Sequence, residues 1–168
     1  MNIELKIINE DTFNSNVTML TNLMNYHRKL TNAPKEFWQT DEESTKTLRE
    51  WMATGRIYNI CLGERVAGFF YVRLGGQKVA WLEDLYIEDE FRNRGLGKAS
   101  MKLLDEILQE EGTLAMFVDV IPRNSSAIKF YKECGFDHLN MIQLRKNYDN
   151  RFNKDEEIEL LGFKFKKY

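Results

Sequence analysis

The sequence predicts an α/β protein: one mixed, mostly antiparallel sheet with flanking helices and a parallel strand pair near its centre. Three observations predict it. The first half carries short apolar or alternating runs, two of them joined by a hairpin-like turn. Two further apolar runs, at 80–87 and 113–120, are separated by a helical pattern, which makes them a βαβ crossover and parallel neighbours. The chain has 168 residues, 43% of them hydrophobic and 30% charged, which suits one domain with a proper core.

Residues 2–8 alternate Ile3, Leu5 and Ile7 with Glu4 and Lys6, the pattern of a strand. From 11 to 30, Phe13, Val17, Leu20, Leu23, Met24 and Leu30 recur at helical spacing, with Asp11 as a candidate cap. Pro34 breaks that pattern. A second helix begins at Asp41 and ends at Gly55. Between the helices stand Phe37 and Trp38, two large aromatics on a loop, where they can line a pocket or fold back on the core. Strands follow at 56–62 and 66–74, around Gly63-Glu64-Arg65. The next strand, 80–87, is aromatic and apolar but contains Glu83 and Asp84. Alternation sends those two acids to opposite faces unless a bulge intervenes. After the helix that starts near Leu96 and the strand at 113–120, Asn124 or Ser125 caps a helix closed by Gly135. Strands at 139–145 and 157–166, joined by a polar loop, complete the chain.

Charge and composition exclude several classes. With 24 basic and 26 acidic residues the net charge is −2, which argues against a general nucleic-acid binder. No apolar run approaches the roughly 18 residues of a membrane span. The start of the chain is strand-like and acid-containing, unlike a signal peptide, so the expected location is cytoplasmic. Cys61 and Cys134 lack metal-ligand spacing and read as core thiols, and no metal is expected.

The stretch with the most chemical content joins strand 80–87 to its helix through Arg92-Asn93-Arg94-Gly95-Leu96-Gly97-Lys98. First-turn N–H groups lack intrahelical partners, the helix dipole adds partial positive charge, and two glycines let the backbone approach a ligand closely. The loop is therefore built to hold an anion, such as a phosphate. A P-loop would require Gly at Arg92 and Ser or Thr at Ala99; a dinucleotide fingerprint would require Gly at Ser100. Neither fits.

What fits is Arg-x-x-Gly-x-Gly after an aromatic strand. The run LEDLYIEDEFRNRGLGKA resembles the acyl-CoA pyrophosphate motif of the GNAT superfamily of N-acyltransferases. Asn124, Ala127, Phe130-Tyr131 and Gly135-Phe136 resemble that family's second CoA motif. The resemblance is specific over about 80–136 and general elsewhere. It implies a GNAT fold whose central parallel strands splay apart, and acetyl-CoA as co-substrate. Pyrophosphate would meet the backbone from Arg94 to Lys98, with Arg92 and Asn93 beside it. Pantetheine would pair with the backbone of Leu85, Tyr86 and Ile87, and Asn124 and Ala127 would contact the cofactor. Tyr131 would be the general acid. LEDLY is similar to the subset acting on polyamines and related small amines, where an acid faces the acceptor. Glu83, with Asp84 as the alternative, is then the proton acceptor or acceptor-binding group. Tyr26 and Trp38 are further acceptor-side candidates, and His27 or His138 are alternative bases. The expected activity is direct acetyl transfer to a small-molecule primary amine. A protein N-terminus or lysine is the second acceptor class, and a non-catalytic acyl-CoA-binding regulatory module is the rival from outside the enzymes. A strand such as 157–166 could also serve a homodimer.

Overall fold

A computed structural model describes residues 2–168; Met1 lies outside the described residues. Strand β1 (Ile3–Ile7) leads into helix α1 (Glu10–Leu30), and α2 (Asp41–Thr54) precedes the meander β2 (Arg56–Leu62), β3 (Arg65–Gly75) and β4 (Val79–Ile87). Helix α3 (Leu96–Glu110), strand β5 (Ala115–Val118) and helix α4 (Ser125–Glu133) follow. The main sheet has the order β1-β2-β3-β4-β5; all neighbours are antiparallel except β4 and β5, which are parallel as the crossover requires. This is the mixed α/β architecture expected.

Each sheet face is sealed by its own helices. On one side, Phe13, Val17, Leu20 and Leu23 of α1 and Leu48 of α2 pack on Ile57, Phe69, Tyr71 and Tyr86. On the other, Leu96, Met101, Leu104 and Leu108 of α3 pack on Ile60, Phe70, Val72, Ala80 and Leu82. The buried Ser100 stands four residues after Leu96, and Met101, Leu104 and Leu108 follow one another at three- and four-residue steps, the stripe a helix lays on a sheet. Among the described residues no helix is long and apolar enough to cross a membrane.

Three boundaries differ from expectation. Helix α1 starts before Asp11, because Asn9 and Thr12 form a reciprocal capping box, with Asn9 Oδ1 accepting from the Thr12 N–H at 3.0 Å. The expected strand at 139–145 has no ladder partner and lies exposed. The expected strand at 157–166 folds instead as a separate hairpin, β6 (Glu157–Leu160) and β7 (Phe163–Lys166), around a turn at Leu161-Gly162. The half-buried Arg123, just beyond β5, holds that hairpin: it reaches Glu156 and the Lys167 carbonyl, each at 2.7 Å.

Candidate active site

Two irregularities of β4 build the site. The first is a β-bulge. Arg73 pairs with Trp81, Val72 with Leu82, and then Tyr71 with Asp84, so Glu83 is an extra residue in the ladder. Paired residues share a face, which puts Asp84 on the same side as Tyr71 and Tyr86. The bulge breaks the alternation that would have sent the two acids apart, and both line one cleft. The second is the splay. The parallel ladder runs from Val79 opposite Ala115 to Leu82 opposite Val118 and stops, while β4 continues to Ile87. The β5-facing backbone of 83–87 is thereby left for something other than a strand.

The cleft in this wedge holds about 900 Å³. At one end is the start of α3. Helices α1, α2 and α4 have side-chain caps from Asn9, Thr40 and Asn124, whereas Gly95 at the start of α3 offers none. Gly95 is left-handed (φ 79°), and a Cβ there would meet nothing within 4 Å, so the N–H groups behind it open onto the cleft. At Gly97 a Cβ would stand 3.1 Å from the Phe130 ring, so a side chain would crowd α4. An uncapped helix terminus with bare backbone suits a phosphate. Arg92 clasps this loop to β4: it donates to the Ile87 carbonyl at 2.8 Å, pairs with Asp89 at 2.6 Å, and faces the Tyr86 and Tyr26 rings at 5.3 and 5.9 Å. Lys98 pairs with Glu133 of α4 at 2.7 Å. Asn124 caps α4, accepting from the Ala127 N–H at 3.2 Å, and both residues line the cleft.

At the other end the two acids differ in surroundings. Glu83 is held by Arg73, whose Nε donates to it at 2.5 Å. Asp84 keeps a half-buried window on the cleft, but the carboxyl is enclosed by protein. Lost hydration, with a smaller push from the Glu83 charge, raises its pKa to about 7. Tyr131 of α4 faces the same space; burial first, then the charge of Asp84, raises its pKa and keeps the phenol protonated through the alkaline range. Thus a carboxyl that titrates near neutrality and a phenol that does not share one wedge. His27 lines the cleft from α1, its pKa lowered by burial and by Arg28, whereas His138 is exposed on a different segment.

Leu85, Tyr86, Ile87, Asn93 and Tyr26 also line this cleft. Arg94 and Trp38 do not; Arg94 is exposed, and Trp38 sits in a second, polar cleft of about 430 Å³ with Arg28, Glu43 and Lys46. Sequence reasoning missed Arg73, because only the register places it against Glu83. It also missed Asp119, an acid at the end of β5 that lines the cleft, which its place at a strand terminus could have flagged.

Residues 23–136 match the profile of the Acetyltransferase (GNAT) family, and the chain belongs to that family. Among curated proteins it is 30% identical over 94 residues to thialysine N-epsilon-acetyltransferase of Sus scrofa, covering 56% of this chain and 54% of that protein. It is 30% identical over 69 residues to the ribosomal protein bS18-alanine N-acetyltransferase of Salmonella typhimurium, covering 41% and 45%. The chain thus spans about half the length of the curated relatives it matches. Among solved structures, an aminoglycoside N-acetyltransferase in complex with CoA superposes with a TM-score of 0.68 at 14% identity, over 88% of this chain and 96% of that one. A putative acetyltransferase, YycN of Bacillus subtilis, gives 0.67 at 17%, over 88% and 100%. At these identities the structures speak for the fold.

Proposed function

We propose that this chain transfers an acetyl group from acetyl-CoA to the primary amine of a small molecule, by direct attack within a ternary complex. The observation that carries this reading is the pairing of two ends of one cleft: bare helix N–H groups at one, and Asp84 with Tyr131 at the other. Acetyl-CoA supplies an acyl group already activated as a thioester. The N–H groups of residues 95–98 hold its pyrophosphate, and the unpaired β4 backbone of 85–87 takes the pantetheine arm as it would an added strand.

The chain then has two proton tasks. An amine with a pKa of about 10.4 is almost wholly an ammonium at pH 7, so its proton must be removed. Asp84 accepts it. A base titrating at about 7 is ionised enough to act and basic enough to be useful. Tyr131 gives its phenolic proton to the leaving sulfur as the bond from carbonyl carbon to sulfur breaks and the new bond to nitrogen forms; the second proton, shed by the nitrogen as it becomes an amide, restores the phenol. Glu83 is engaged by Arg73 at the acceptor end, so it shapes the approach of the amine rather than serving as a free base.

A small acceptor is favoured by a C-terminal loop packed against Thr31, a residue lining the cleft. Arg151 pairs with Glu36 at 2.5 Å, the Phe152 and Phe37 rings lie 5.5 Å apart, and Lys154 donates to the carbonyl of Thr31, a cleft residue. These contacts pin the C-terminal loop over the turn between α1 and α2. A polypeptide acceptor, as in the bS18-alanine enzyme's name, is the second reading.

The test is acetyl-CoA turnover followed by thiol release, across polyamines, thialysine-like amino acids, aminoglycosides and short peptides. Turnover with a small amine supports the proposal. Turnover with peptides alone moves the acceptor class, and CoA binding without turnover on any amine leaves a binding module instead.

A further inference from the structure

Cations gather where the C-terminal stretch meets the cleft. Arg145 lies 3.8 Å over the Tyr168 ring, and the Lys154 ammonium lies 5.3 Å from the same centroid. Burial, then the charges of Arg123 and Arg145, lower the Lys154 pKa, so the three basic groups feel one another. Lys167 joins them through Glu156, which accepts from it at 2.8 Å and from Arg123 at 2.7 Å. Among the described residues, Glu156 is the carboxylate paired within this group, set against four basic side chains.

The remaining bonds of the cluster go to neutral groups. Lys154 donates to the Thr31 carbonyl, Arg145 to the Asn147 side-chain oxygen at 2.7 Å, and Arg123 to the Lys167 carbonyl at 2.7 Å. Neither Arg145 nor Lys154 pairs with an acid among the described residues. Arg123 Nε is buried and has no partner among the described residues. An ammonium carries three donors, so Lys154 keeps two beyond its bond to Thr31. Like charges brought together with donors unused cost the fold free energy that an anion would return.

The cluster borders the cleft on two of its walls. Thr31, whose carbonyl Lys154 holds, lines it from the end of α1. Ile121 and Asn124, on either side of Arg123 in the chain, line it from the segment between β5 and α4. The bare N–H groups that suit the pyrophosphate stand elsewhere, at the start of α3. A second anion site is therefore built beside a cleft that already has a place for the cofactor's phosphates.

We infer that the acceptor bears a carboxylate as well as its amine, and that Lys154, Arg123 and Arg145 receive that carboxylate while Asp84 receives the amine. This rests on the acetyl-transfer reading above and narrows its acceptor to a primary amine of amino-acid character. A carboxylate suits the donors available: its two oxygens can take the Arg123 Nε–H and the free Lys154 protons together. Acids at one place in the cleft and bases at another select a molecule with both charges. A polyamine would set a second ammonium against the cations, which counts against it.

The test compares acceptors that differ by the carboxylate alone. Short ω-amino acids are set against the alkylamines that lack only that group, and lysine against 1,5-diaminopentane, with thiol release as the readout. The wild type is expected to favour the carboxylate-bearing member of a pair by about tenfold or more in kcat/KM, the scale of a hydrogen bond to a charged group. Lys154→Met should shrink that ratio toward one, chiefly by raising KM for the amino acid. Arg145→Met should shrink it too, and calorimetric CoA binding checks that each variant is folded. A wild type that prefers the alkylamines and the diamine, or does not discriminate, overturns this inference and leaves acetyl transfer standing. A preference that survives both substitutions in folded protein also overturns it. Failure to acetylate any amine of either kind brings down the acetyl-transfer reading, and this one with it.

Discussion

The stretch from β4 to α4 and the C-terminal stretch from 137 onward are both rich in apolar residues, yet they use them differently. In the first, two consecutive strands and two helices bury their apolar faces on one another, and the exposed features are backbone groups and a few polar side chains. In the second, apolar side chains stand in solvent while salt bridges and ring contacts pin the segment to its surroundings. In the proposed reading, pyrophosphate binding is a local affair of backbone and glycine at the start of α3. The C-terminal segment is held by partners distant in the chain, Glu36 and Phe37 among them.

That contrast can be broken or sharpened by substitution. The largest effect is expected at Asp84: Asp84→Asn keeps shape and removes the base, and kcat should fall by about 10²- to 10⁴-fold, the general acid–base scale. CoA affinity measured by calorimetry should barely move. Tyr131→Phe keeps the ring and removes the proton, with an expected loss in kcat of about 10²-fold, at the lower end of that scale. Gly97→Asp sets a carboxylate beside the first turn of α3 and its Cβ against Phe130. CoA affinity should fall by about tenfold or more, equivalent to roughly 1.4 kcal/mol for each factor of ten. Unchanged affinity in the folded variant would put the cofactor elsewhere. The smallest effect belongs to Glu83→Gln. It breaks a partly exposed ion pair with Arg73, so thermal unfolding should register a change of about 1 kcal/mol or less. The KM for a cationic amine should rise more than kcat falls.

The order of elements through α4 was legible because periodicity, caps and glycines are local signals. The uncapped start of α3 was legible for the same reason: a helix beginning behind Gly95 is written in adjacent residues. The relation between Glu83 and Asp84 was not. Alternation alone separates them, and the bulge that unites them is visible only in the register against Tyr71 and Val72. Arg73, ten residues away, is likewise a cross-strand neighbour rather than a sequence neighbour. At 139–145 the strand-like composition was real but found no ladder in the chain, because β-structure needs a partner that composition does not supply. Trp38, an aromatic on a loop between helices, lies in a second cleft rather than the one Asp84 lines.

The claim at the centre is that Asp84, rather than Glu83 or His27, takes the acceptor's proton. Its pKa is raised to about 7 in the free protein, so below that pH it carries a proton and cannot act as a base, and above it the carboxylate is available. The most direct measurement is kcat/KM for the best small amine against pH, for wild type, Asp84→Asn and Glu83→Gln. The wild type should lose activity as pH falls through about 7. Glu83→Gln should keep that acid limb, and Asp84→Asn should show low activity without it. An acid limb that persists in Asp84→Asn and disappears in Glu83→Gln would contradict the assignment and give the proton to the other acid of the bulge.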